Sequence, residues 1–174
     1  LTIPFIGFGQ NIFTLNDIEM SNNVIVSKKT NQPLNGLLHM YYPSGELKEV
    51  IPVDNGKQNG VGKMYYKNGK LQKKLSFKDN KFHGTLESYY QNGQLESTGD
   101  YKNGLEEGVW KYWNENGQLQ SIFNGFKNGK KNGLMKSYFD WGELHTQYNN
   151  DQKISRECFD KNGNKFNCND RFKK

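Results

Sequence analysis

Two series of glycines recur through the chain on one period, and no other feature limits its folding so tightly. The leading series, Gly36, Gly60, Gly84, Gly108 and Gly133, is spaced 24, 24, 24 and 25 residues apart, and Gly45, Gly69, Gly93, Gly117 and Gly142 follow the same spacing. The blocks they mark read NGLLHMYYPSGEL from Asn35, NGVGKMYYKNGKL from Asn59, HGTLESYYQNGQL from His83, EGVWKYWNENGQL from Glu107 and NGLMKSYFDWGEL from Asn132. Self-similarity at such a period marks a repeat architecture, in which one supersecondary unit stacks on the next to build a continuous core.

Each unit reads as strand, turn, strand, turn. In the second unit Leu71, Leu75 and Phe77 share one parity while Gln72, Lys74 and Ser76 share the other, the period-two pattern of a half-buried strand. Leu47, Ile51 and Val53 repeat it one unit earlier. The Asn-Gly pairs at Asn68, Asn92 and Asn116 are expected to take positive φ in tight turns, and the glycine-bearing segments at the other end make the return. Only short connections are available, so the strands pair antiparallel. The expected fold is all-β, a single-layer antiparallel meander of hairpin repeats; about ten strands at about 4.8 Å each give a sheet of roughly 50 Å.

In the fourth unit Tyr112 and Trp113 come one residue earlier after Gly108 than the other aromatic pairs do, and the stretch from Leu119 to Phe126 is one residue longer. β-Bulges are expected near Asn114 to Asn116 and near Gly125. Residues 1–23 lack the repeat and read as an N-terminal cap; residues 24–148 hold the units, with a partial unit at 24–34; residues 149–174 read as a degenerate last unit and C-terminal cap. Such caps close the exposed edges of an array.

Composition fits this pattern. Of 174 residues 33% are hydrophobic and 14% aromatic, too aromatic for a disordered chain, and the glycine content is too high for helix interiors. The net charge of +6 is carried mostly by lysines scattered through the turns. That charge admits an anionic membrane or cell-envelope surface, or an acidic protein, as partner. No signature of sequence-specific nucleic-acid recognition is present. No stretch reaches the eighteen or so apolar residues of a membrane-spanning helix. The chain begins with Leu1 rather than Met, so a removed N-terminal piece is expected, a signal or lipoprotein peptide being one form of it.

Adjacent aromatics in a strand point to opposite faces. Tyr42, Tyr66, Tyr90, Trp113 and Phe139 form one row, expected to be core because it holds the most apolar members. Tyr41, Tyr65, Tyr89, Tyr112 and Tyr138 form the other, the candidate partner surface, with cross-strand stacking as the alternative role. His39, Lys63, Glu87, Trp110 and Lys136 are expected beside that second row; Trp110 is the candidate exposed anchor, the alternative being burial. His39, His83 and His145 fall in different registers of their units, and no metal-ligand spacing or nucleophile-base arrangement is visible. The reading is a protein without catalytic residues, metal or cofactor. Cys158 and Cys168 flank the turn at Asn162-Gly163 almost symmetrically, so a hairpin brings them together as a candidate disulfide. A disulfide implies an oxidising compartment, the periplasm, cell surface or exterior; two reduced cysteines in the cytoplasm are the alternative.

The recurring pattern G-x-x-x-x-Y-Y-x-x-G-x-L, followed by Y-K-N-G-K-x-x-G, resembles the longer bacterial variant of the MORN repeat, as in YwqK-type antitoxin-like proteins, over roughly residues 24–165. The resemblance implies a β-meander with no family-wide catalytic residues that presents a groove to a protein partner. It also implies membrane association or toxin neutralisation for some members. Exposed edge strands leave self-association open as a further expectation.

Overall fold

The computed structural model describes residues 11–169. The strands are β1 Ile12–Thr14, β2 Ile18–Ser21, β3 Val24–Ser27, β4 Gly36–Tyr41, β5 Leu47–Asp54, β6 Lys57–Gln58, β7 Gly60–Tyr65 and β8 Leu71–Lys78. They continue as β9 Lys81–Tyr89, β10 Leu95–Lys102, β11 Leu105–Trp113, β12 Leu119–Lys127, β13 Lys130–Phe139, β14 Gly142–Asn149, β15 Gln152–Asp160 and β16 Lys165–Phe166. From β4 to β16 each strand pairs antiparallel with its sequence neighbour in a 14-stranded sheet, β6 pairing β5 off the main path. At the N-terminal edge β1 lies parallel on β4. The β2–β3 hairpin forms its own small sheet. This is the expected single-layer meander.

Two kinds of turn alternate along it, and each has its own chemistry. At one end two-residue turns put both central residues at positive φ: Asn55 and Gly56 at 47° and 72°, Asp79 and Asn80 at 50° and 66°, Asn103 and Gly104 at 53° and 87°. These have the hand that matches the twist of the flanking strands. At the other end three residues close the hairpin, with Gly69 N–H donating to the Tyr66 carbonyl and Tyr66 N–H to the Lys70 carbonyl. Here positive φ falls on the glycine, Gly45, Gly69, Gly93 or Gly117. Asn68, Asn92 and Asn116, expected at positive φ, instead turn Oδ1 onto the N–H two residues on, at 3.0, 2.9 and 3.0 Å.

The register shift near Gly125 is present, between Asn124 and Phe126, with Gly125 at φ 156°. The shift expected at Asn114 to Asn116 is not a peculiarity of the fourth unit. A shift lies before Tyr41, Tyr65 and Trp113 alike. Asn114 to Gln118 form the same turn as Tyr66 to Lys70. Trp113 therefore stands in register with Tyr41, Tyr65 and Tyr89, and Asn114 with Tyr42, Tyr66 and Tyr90.

That register decides the core, and it corrects the assignment of the rows. The buried face is built two residues after each leading glycine, by Leu38, Gly62, Leu86, Trp110 and Met135, and by the partners of these positions on returning strands, among them Ile51, Leu75 and Phe123. Ring contacts then run without a break from Phe77 to Phe82, Tyr101, Trp110, Phe126, Phe123 and Tyr148, with centroids 4.6 to 5.9 Å apart. Edge-on ring pairs at such distances add to the area they remove from water. Tyr42, Tyr66 and Tyr90 are only half-buried beside the three-residue turns, and Phe139 is 46% exposed and stacks on Trp141. At the N-terminal end the β2–β3 hairpin and the segment after it bring Ile25 and Leu34 against Leu38, Ile51 and Val53. Cys158 and Cys168 are joined, Cα atoms 5.3 Å apart, and the bond holds β16 to β15. The disulfide points to an oxidising environment. Among the described residues no helix is long and apolar enough to cross a membrane.

Candidate functional site

Among the described residues the sheet is one layer thick, and the face opposite the aromatic core carries no second layer. On this outer face lie the residues one, three and five after each leading glycine. The fifth position supplies Tyr41, Tyr65, Tyr89, Trp113 and Tyr138, and the pairing interleaves Leu47, Leu71, Leu95 and Leu119 with the first four of them. Leu71, grouped by alternation with Leu75 and Phe77, is carried to this row by the shift beside Tyr65. The row is an aliphatic and aromatic stripe across the strands. Tyr41 is 48% exposed; Tyr65, Tyr89, Trp113 and Tyr138 are half-buried.

The third position and its cross-strand partners form a second row beside the first. It runs Lys63, Lys74, Glu87, Thr98, Lys111, Ile122, Lys136 and His145, each paired with the next. Within it Lys74 Nζ meets Glu87 Oε2 at 2.9 Å, and the Tyr89 hydroxyl donates to the same oxygen at 2.7 Å. The Lys74 ammonium also lies 5.7 Å from the centre of the Tyr89 ring. These contacts hold Glu87 below the usual carboxylate range, the Lys74 hydrogen bond contributing most. Tyr89 is pushed up, first by burial and then by its bond to Glu87. At the far end His145 Nε2 and Glu143 Oε2 are 2.7 Å apart, and Tyr138, Glu143, His145 and Phe159 line an open cleft of about 560 Å³.

Four of the expected binding residues, Tyr41, Tyr65, Tyr89 and Tyr138, come together on this outer face. Trp110 and Tyr112 do not. Trp110 is 4% exposed at the centre of the core, over Gly99, where an added methyl would overlap its indole ring. The expectation of an exposed anchor is thus overturned; its partner strand offers a glycine in which only a large flat ring fills the space. Tyr112 stacks on Trp110 at 6.3 Å, and burial, followed by Glu106 and Tyr101, pushes its hydroxyl pKa up to about 12. The residue the sequence reading missed is Trp113. Counting five residues from Gly108, as from Gly84 to Tyr89, places it on the outer face, whereas counting from the aromatic pair does not.

The MORN repeat variant, as a family model, matches residues 58–79, 82–103 and 106–130. These are MORN repeats. The glycine period and hairpin geometry continue beyond the matched MORN units, to Gly36 on one side and Gly133 on the other. No curated protein matches the chain. It is also similar to two solved structures. One is that of accessory secretory protein 1,2 and 3 in Streptococcus pneumoniae, with 15% identity, 83% of this chain covered and a TM-score of 0.33. The other is a GtfA/B complex bound to UDP and GlcNAc, with 12% identity, 75% of this chain covered and a TM-score of 0.28. The chain spans 23% of each of those chains, and likenesses so distant do not speak to function. MORN repeats are in general binding modules, and the face built here is suited to binding. Among the described residues no group of three or more His, Cys, Asp or Glu is placed to hold a metal ion.

Proposed function

We propose that this MORN-repeat chain is a non-catalytic module that holds a protein partner on the outer face of its sheet. The observation that carries the reading is the stripe of Tyr41, Tyr65, Tyr89, Trp113 and Tyr138 with its interleaved leucines. Among the described residues the buried core lies on the other face, so the stripe is not needed to fill it. Tyr and Trp on a rigid strand offer broad amphipathic contact at little entropic cost and are enriched at binding hot spots. An immunity or antitoxin-like role, as the resemblance to YwqK-type proteins suggests, is the case in which that partner is a toxin. The disulfide supports a periplasmic, cell-surface or secreted setting.

The test is retention of partners from lysate and culture supernatant by the parent and by a variant with Tyr65, Tyr89 and Trp113 changed to Ala. A protein held by the parent and lost by the variant supports the reading; identical retained sets sink it. The competing reading is attachment to anionic lipid or cell-envelope polymer through exposed turn lysines such as Lys78, Lys81, Lys102, Lys127 and Lys130 along one edge. Salt separates the two, because exposed charge contacts are screened within about 8 Å at physiological ionic strength while burial of rings is not.

A further inference from the structure

We infer that the partner segment seated on the outer face is acidic and amphipathic, and that it lies across the strands rather than along them. The inference rests on the outer face being the binding face and adds the chemistry and direction of what it binds. Two parallel rows set the direction. The stripe of Tyr65, Tyr89 and Trp113 with its leucines runs across the sheet, and the row from Lys63 to Lys136 runs beside it, two residues nearer the leading glycines on each outgoing strand. Lys63, Lys111 and Lys136 have no ion-pair partner among the described residues, whereas Lys74 is taken up by Glu87. From Lys63 to Lys136 there are six strand steps, roughly 29 Å at about 4.8 Å each.

The row is basic but not uniformly so. It is interrupted by Glu87, Thr98 and Ile122 and bordered on one side by hydrocarbon. A nucleic acid or sulfated glycan, charged at every step, gains nothing from Ile122 or the leucines and meets Glu87 unfavourably. A peptide that alternates carboxylates with apolar side chains satisfies both rows at once, carboxylates on the lysines and apolar groups on the aromatic stripe. Complementary charge of this kind fixes register and speeds association.

The experiment uses the full chain and a fluorescein-labelled peptide of about twenty residues built from Glu, Leu and Tyr, long enough to span roughly 29 Å even as a helix at about 1.5 Å per residue. Two variants carry the same net charge: Lys63→Glu, Lys111→Glu, Lys136→Glu on the row, and Lys78→Glu, Lys102→Glu, Lys127→Glu on the turn edge. Circular dichroism and thermal melting establish that both are folded. The expected result is peptide binding by the parent, weakened about tenfold or more by the row variant and less than about twofold by the edge variant. Equal loss in both variants overturns the inference by showing diffuse attraction. So does absence of binding, and so does tighter binding of an oligo-dT or a sulfated glycan that the row variant abolishes. The aromatic triple variant in the partner-retention assay reads the binding face whatever the partner's charge, so failure here leaves that reading separately testable.

Discussion

The hydroxyl of Tyr66 donates to the backbone carbonyl of Tyr89 at 2.7 Å, joining one repeat to the next. Tyr42 does the same to Tyr65 at 2.8 Å and Tyr90 to Trp113 at 2.7 Å. The second tyrosine of each pair is therefore a clasp between units and the first is the surface it holds in place. Tyr66→Phe keeps the ring and removes the clasp. It is expected to cost about 1 kcal/mol in denaturant unfolding, with the slope unchanged. In the fourth unit Asn114 occupies the corresponding place, so Asn114→Ala should cost less than Tyr66→Phe.

Trp110 and Gly99 are a matched pair. The indole lies against the glycine Cα, and a methyl added there meets ring atoms that are packed on all sides by Tyr101, Tyr112 and Phe126. Gly99→Ala is expected to destabilise by about 1–3 kcal/mol through overpacking. Trp110→Ala should cost about 3–5 kcal/mol through the cavity it leaves. In the double variant the methyl gains room, so the summed cost should exceed the measured one by more than about 0.5 kcal/mol. Thermal or urea melts of the three proteins check it, and strict additivity would contradict the packing.

The period of the glycines carries the meander, and the short connections its antiparallel pairing, because backbone demands at turns admit few residues. The disulfide was legible only as one of two alternatives for Cys158 and Cys168, reduced thiols being the other. The core was harder to read. Its column, Leu38, Gly62, Leu86, Trp110 and Met135, varies from no side chain to the largest, each fitted to what lies across the strand, so no residue type recurs to mark it. The second tyrosine of each pair recurs because the clasp repeats, and in the sequence its row is expected to be core because it also holds Trp113 and Phe139, the most apolar members. The exchange of Tyr112 for Trp113 on the outer face has the same origin, since the backbone keeps register with Gly108 rather than with aromatic identity.

Tyr112 is expected to be the last tyrosine to ionise. Burial pushes its folded pKa up to about 12, above the ordinary tyrosine value of 10.0. Between these values the unfolded chain has released a proton that the folded chain keeps, so stability falls as pH rises through the window. Tyrosinate absorbance during alkaline titration should show a late component that Tyr112→Phe removes. Persistence of that component in the variant would assign it elsewhere.

The bond between Cys158 and Cys168 closes a loop of sequence separation 10 around a β16 that pairs with β15 through Cys158 to Phe166 and Phe159 to Lys165. So short a strand has little pairing of its own. Reduction is expected to destabilise the last hairpin by on the order of 2 kcal/mol and to speed amide exchange in β15 before β8 to β12. Exchange rates measured with and without reductant distinguish this local loosening from global unfolding.

His83 stands where other units place a side-chain acceptor for the next turn. Asn35 Oδ1 accepts the Asn55 N–H at 2.8 Å, Asn59 Oδ1 the Asp79 N–H at 3.0 Å, Glu107 Oε2 the Asn128 N–H at 3.1 Å and Asn132 Oδ1 the Asn150 N–H at 3.1 Å. The corresponding donor in the third unit is Asn103, yet His83 Nδ1 is buried without a partner among the described residues. An imidazole nitrogen is set in the ring plane and cannot reach out as an amide oxygen does, and an unmet buried polar atom is costly. His83→Asn should therefore restore the pattern and stabilise the chain by about 0.5–1.5 kcal/mol, a rise in the urea midpoint at constant slope. His83→Ala separates the causes. It relieves the unmet atom without supplying an acceptor, so it should fall short of His83→Asn, and equal stabilisation by both would show that the acceptor contributes nothing.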